Sequence, residues 1–136
     1  VIAILSILLV VAISAYTDYV VRSKVGEGMV FAAEAKTGVS EYFYNIKEWP
    51  TDNAAAGLPL ASSYSRYDFM ERLEITSIPK PGTISVTVSI PGTTADGKEL
   101  HLIPSTLGGI INWTCTSPDD PDIRLDINHR PANCRG

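Results

Sequence analysis

The chain has 136 residues, 15 acidic against 11 basic side chains, and a formal net charge of −4. Its length fits one domain, and 45% apolar with 19% charged residues is ordinary globular composition, which excludes a disordered chain. The acidic balance argues against nucleic acid as the main partner, because phosphate binding needs surplus Lys and Arg.

Residues 1–13 read VIAILSILLVVAI, with Ser6 the sole polar side chain, and no charge appears before Asp18. A helix apolar on every side must be surrounded by lipid or by protein. A membrane span needs about 20 apolar residues. The run falls short even with Ser14 and Ala15, so a short piece is expected to precede Val1. Three readings compete. A core helix is disfavoured, because a chain this small can hardly wrap one completely. A secretory signal ending near Ala15 suits the length, but no basic stretch precedes it and the helical pattern runs on. The third is a membrane helix that stays attached and later packs against copies of itself.

From Tyr16 to about Trp49 there is no proline, and Val25, Met29, Ala32, Val39, Phe43 and Ile46 recur at steps of three, four and seven. That period marks an amphipathic helix, with Glu27, Glu34, Glu41 and Lys47 on the polar face. Gly26, Gly28 and Gly38 each weaken it by about 1 kcal/mol relative to Ala, or else permit close packing. Pro50 ends it. One helix of about 48 residues is roughly 72 Å long.

Residues 50–72 read as a connecting loop, with a short helical turn near Tyr67–Arg72. The period then becomes two: Ile84, Val86, Val88 and Ile90 alternate with Ser85, Thr87 and Ser89, as in a half-buried strand. Leu73–Ile75, Leu100–Leu102 and Ile110–Thr114 supply three more strands, joined by turns at Pro79–Gly82, Asp96-Gly97 and Gly108-Gly109. The fold class is α+β, with the amphipathic half of the helix packed on a four-stranded antiparallel sheet over 73–116. Cys115 and Cys134 enclose 18 residues. In a small domain with an export-like segment they suggest one disulfide, worth about 3 kcal/mol; two buried thiols are the alternative. Within that loop Ile123, Leu125 and Ile127 alternate with charges, as in a last short strand.

Little points to catalysis. His101 and His129 invite a nucleophile–His–acid triad, but no G-x-S-x-G, H-E-x-x-H or P-loop pattern occurs. Asp119, Asp120, Asp122 and Asp126 lack EF-hand spacing and read as a solvated loop rather than a Ca²⁺ site. Asn112-Trp113-Thr114 fits a glycosylation sequon, on a strand. Tyr42, Phe43 and Tyr44 read as packing rather than a base-stacking platform. Arg130 and Arg135, beside His129, form one local basic corner, either solvated surface or a weak contact to DNA or anionic surfaces. No catalytic residue, metal ligand or cofactor is assigned.

The stretch VIAILSILLVVAISAYTDYVVRSKV resembles the amino-terminal helix of type IV pilins, which continues as Ala-Tyr-x-Asp-Tyr and then Arg-Ser: here Ala15-Tyr16-Thr17-Asp18-Tyr19 and Arg22-Ser23. Asn112-Trp113-Thr114-Cys115 and Pro131-Ala132-Asn133-Cys134 are similar to the carboxyl-terminal disulfide loop of type IVa major pilins. The resemblance implies a pilin fold with a hydrophobic membrane and filament-core half over 1–24. A globular domain would follow over 25–136: helix to about 49, loop 50–72, sheet 73–116 and disulfide loop 115–134. It implies no enzyme. The function implied is a structural subunit of an extracellular filament serving adhesion, twitching motility or DNA uptake. Implied partners are copies of itself through the helices, the inner membrane before assembly, the pilus assembly machinery, and host or abiotic surfaces, with DNA bound weakly at most. The residues expected to pack in the filament core are Ile2, Ile4, Leu5, Leu8, Leu9, Val11 and Ile13.

Two departures from the family pattern stand out: Ser6 where Gly is usual, and Ser14 where Pro is usual. Related filaments unwind the helix between these positions. Ser14 keeps its N–H, so no proline break is enforced and the expectation is a more continuous helix, although the Ser14 hydroxyl could bond back to the Val10 carbonyl and bend it. The alternatives are a minor pilin, a secretion pseudopilin, or a secreted binding domain whose signal peptide is residues 1–15.

Overall fold

The computed structural model describes all 136 residues. A single helix, α1 (Ile2–Ile46, 45 residues), spans about 68 Å and runs without a break past both Ser6 and Ser14. Its buried positions, Val21, Val25, Gly28, Ala32, Ala35 and Val39, follow a four–three rhythm along one face. Of the six expected inward positions, Val25, Ala32 and Val39 are buried and Met29 and Phe43 half-buried, whereas Ile46 is 54% exposed. The buried face is mostly small because α1 lies close to its neighbours. A Cβ on Gly28 would rest 3.5 Å from Val86 Cγ1, and one on Gly38 only 2.5 Å from the Ala56 carbonyl oxygen.

The helix stops three residues short of Trp49. Lys47 turns left-handed (φ 67°) and its N–H donates to the Phe43 carbonyl at 2.8 Å, so the chain ends α1 before Pro50 can. That turn folds Trp49 back to stack on Phe43, ring centroids 4.1 Å apart.

Four strands form an antiparallel meander in the order β1-β2-β3-β4. They are β1 (Met70–Thr76), β2 (Thr83–Val88), β3 (Glu99–Leu107) and β4 (Ile110–Thr116). Three boundaries differ from expectation. β1 begins at Met70, with a register shift between Met70 and Arg72. β2 ends at Val88, because Val88 and Ile90 turn to the β2–β3 connection: Val88 N–H donates to the Lys98 carbonyl and Ile90 N–H to Asp96 Oδ1. β3 runs on through Pro104, which is tolerated because β2 pairs only as far as Leu102 and leaves that side of the strand free. The short helical turn lies at Ala61–Arg66 as a 3₁₀ turn, not at Tyr67–Arg72. The last expected strand shrinks to one parallel bridge, Glu99 to Arg124, followed by a 3₁₀ turn at Ile127–His129.

β2 is buried on both faces rather than half-buried. Ile84, Val86 and Val88 belong to the core shared with α1, together with Leu73, Leu100 and Leu102. On the opposite face, Ser85 lies between Glu74 and His101, and Thr87 between Arg72 and Glu99, so long neighbouring side chains shield the short ones. The connecting loop is held by one buried amide. Asn53 donates to the Pro59 and Leu73 carbonyls and accepts from the Ile75 N–H, all at 2.8 Å.

The close approach at Gly38 yields a prediction. Gly38→Ala would gain about 1 kcal/mol of helix propensity, yet its methyl must displace the Ala56 backbone. The variant is expected to be less stable by about 1–3 kcal/mol in denaturant titration. A gain in stability would show that the loop yields freely.

Candidate functional site: an apolar shaft clasped to the head

The candidate site is the first half of α1. Residues 1–17 are all exposed. The seven expected packing residues, Ile2, Ile4, Leu5, Leu8, Leu9, Val11 and Ile13, are each between 57% and 82% exposed. Ile7 and Val10 are equally bare, at 66% and 69%, and belong to the same surface. A run apolar all round offers no period by which to separate them, which is why the seven expected residues left those two out. The helix is long and apolar enough to cross a membrane.

Two hydroxyls of the shaft bond back into the helix. Ser6 Oγ donates to the Ile2 carbonyl and Thr17 Oγ1 to the Ile13 carbonyl, both at 2.9 Å. The back-bond considered for Ser14 onto the Val10 carbonyl is not formed; Ser6 and Thr17 make theirs instead. Ser6 and Thr17 thus keep their hydroxyl hydrogens inside the helix, as a residue facing lipid or another helix must.

The shaft meets the head at a compact junction. Arg22 hooks the Asn128 carbonyl with both Nε (3.0 Å) and Nη2 (2.8 Å). His129 Nε2–H donates to Asp18 Oδ1 at 3.0 Å from an almost fully buried ring. Both acceptor and ring lie inside the loop closed by the Cys115–Cys134 disulfide, whose Cα atoms are 4.6 Å apart. The two cysteines are therefore joined, and His129 is a structural contact to the shaft.

His101 is placed just as structurally. Its Nε2–H donates to Glu99 Oε2 (2.9 Å), and the same oxygen accepts from Ser85 Oγ (3.2 Å). The carboxylate sits between hydroxyl and imidazole, so the imidazole does not touch the serine and the nucleophile–His–acid order is absent. The His101 hydrogen bond, above all, holds the Glu99 carboxyl below its ordinary 4.5 against the opposing effect of burial; Ser85 and Arg72 add to the lowering. The acidic loop likewise serves the backbone: Asp120 caps the Asp122 N–H and Asp126 the Asn128 N–H. No three His, Cys, Asp or Glu side chains gather closely enough to hold a metal ion. Arg130 and Arg135 stand beside the junction, each anchored by Nε on a backbone carbonyl.

A pH effect follows from Glu99. A carboxyl with a lowered folded pKa stabilises the fold above its unfolded pKa, and the benefit fades as pH falls through the folded value. Glu99→Gln is expected to cost about 1–2 kcal/mol at neutral pH. The gap to the parent chain should close well below the usual carboxylate range, as read from denaturant midpoints at both pH values. A gap unchanged in acid would assign the effect to packing.

Comparison with known proteins places this geometry. Residues 21–135 match the pilin family of bacterial filament proteins. The chain is 32% identical to the type IV major pilin protein PilE1 of Neisseria gonorrhoeae, covering 99% of this chain and 87% of that one. It is 34% identical to the fimbrial protein EcpC of Eikenella corrodens, covering 99% and 84%. It is 30% identical to a fimbrial protein of Neisseria meningitidis serogroup A, covering 99% and 88%. With a bare apolar shaft, a four-stranded head and a disulfide-closed carboxyl-terminal loop, this chain belongs to the type IV pilins.

Proposed function

We propose that this chain is the repeating subunit of an extracellular type IV pilus, and that it works by polymerising rather than by catalysis. The observation that carries the reading is the shaft: about seventeen consecutive exposed residues, nearly all apolar, joined rigidly to a folded head. Such a surface has two stable surroundings, lipid and other shafts. We assign residues 1–24 to that role and 25–136 to the head. Before assembly the shaft sits in the inner membrane. On extraction by the assembly machinery, shafts from many copies bundle along the filament axis and bury Ile2, Ile4, Leu5, Leu8, Leu9, Val11 and Ile13 against one another. Relative to water, seven buried aliphatic side chains are worth roughly 10–20 kcal/mol gross per subunit, reduced by the cost of ordering; lipid gives the same cover, so this figure holds the finished filament together in water rather than driving extraction. A contact that repeats head to tail without closing generates a fibre. Heads on the outside of that fibre would meet host or abiotic surfaces, in keeping with the adhesion and motility typical of the family.

Leu8 provides the test. Leu8→Asp places a charge in the bundle and is expected to eliminate sheared surface filaments while the head keeps its disulfide and its melting transition. Leu8→Ala, which spares membrane insertion, should give filaments that dissociate at lower temperature, since about 2–5 kcal/mol of burial is lost per copy. Normal filaments from Leu8→Asp would sink the bundling mechanism.

A further inference from the structure

The head carries complementary charge that it cannot satisfy within one copy. Its only ion pairs are Arg72–Glu74, His101–Glu99 and His129–Asp18. The outward face of α1 presents Glu34 and Glu41, both exposed, one heptad and so about 10.5 Å apart. The neighbouring lysines are turned elsewhere, Lys36 over the Trp113 ring and Lys47 over Tyr44, each 5.7 Å from the centroid.

Arg130 and Arg135 are the counterpart. Arg130 Nε donates to the Leu125 carbonyl at 2.8 Å and Arg135 Nε to the Arg130 carbonyl at 3.1 Å. Each guanidinium is thereby oriented while its two terminal nitrogens stay free, a geometry suited to carboxylate oxygens. This corner adjoins Asn128 and His129, which contact α1 at Arg22 and Asp18. Along the helix, Glu34 and Glu41 lie about 18 and 28 Å beyond Arg22, out of reach of the same copy's arginines. A second copy displaced along the shaft axis brings them together.

We infer that the Arg130–Arg135 corner docks onto the Glu34–Glu41 face of α1 in a second copy of this chain, an electrostatic contact between heads that sets the axial stagger of neighbouring subunits. The inference rests on the filament reading above and adds a contact outside the apolar bundle. A displaced, non-closing contact of this kind propagates along a fibre.

Charge exchange in the full chain, expressed in a piliated cell, tests it. Arg135→Glu should lower the yield of sheared filaments about tenfold or more. A second reversal in the same chain, Glu34→Arg or Glu41→Arg, should restore the yield to within about twofold, which also shows that the single variant folds. Unchanged yield from Arg135→Glu overturns the contact, and so does a defect that neither reversal rescues. If the substitution spares filaments and abolishes only their retention of duplex DNA, the corner is a nucleic-acid contact and the inference fails. Leu8→Asp separates the two readings: filaments that tolerate Arg135→Glu but not Leu8→Asp retain the apolar bundle and lack the charged one.

Discussion

Everything in this molecule answers to one constraint: half of α1 carries more apolar surface than a single copy of the chain can cover. The head offers one sheet face, and α1 uses it only from Val21 onward. Residues 1–17 are all exposed and bury no side chain against the head. In the proposed filament the subunit is complete only in a second environment, and moving between lipid and a bundle of like helices would exchange one apolar medium for another. That exchange has a small free-energy gap, since both states satisfy the backbone within the helix and cover the same side chains. Specificity must then come from shape and from the few charged groups near the shaft.

The head is built to hold such a shaft stiffly. Small residues on the inner face of α1 let the helix lie close to β2 and the connecting loop, where a bulkier face would have stood it off. Asn53 locks the loop to β1 through two hydrogen bonds from one amide and braces the loop itself with a third, to Pro59, which a hydrophobic contact could not do with equal directionality. The disulfide closes the segment that grips the shaft. The polar face of the sheet, organised by Glu99 with Ser85 and His101, has histidine and acid in contact, yet serves to bury short side chains under long ones.

Much of this was legible in the residues. The unbroken apolar run, the period-two alternation around Val86 and the pair of cysteines each carry one dominant physical signal, and each led to the right element. What escaped depends on partners distant in the chain. Lys47 ends the helix through a left-handed turn fixed by where Trp49 must stack, and nothing local in the sequence marks a lysine for that conformation. Pro104 argues against a strand until one knows that β2 has already ended beside it. Ser85 and Thr87 look solvent-facing by alternation, and only the register shows the long side chains that cover them. Asn53 reads as a loop residue because its three partners lie six to twenty-two positions away. The grip of Arg22 and Asp18 on residues 128 and 129 joins points more than a hundred residues apart, which no local pattern encodes.

That grip also decides how the molecule carries mechanical load. In the proposed filament, tension that reaches the head does so through α1. The first attachment it meets is the Arg22 hook on Asn128 and the His129–Asp18 contact, and both anchor points lie within the ring closed by Cys115 and Cys134. Force arriving there meets hydrogen bonds whose anchor residues belong to a covalently closed loop, alongside the path through α1 itself. β4, an edge strand that would otherwise peel one rung at a time, is tied through Cys115 to the far end of that ring. The fold thus sets its one covalent cross-link around the clasp, so that load reaching Asn128 and His129 meets a closed loop as well as the sheet.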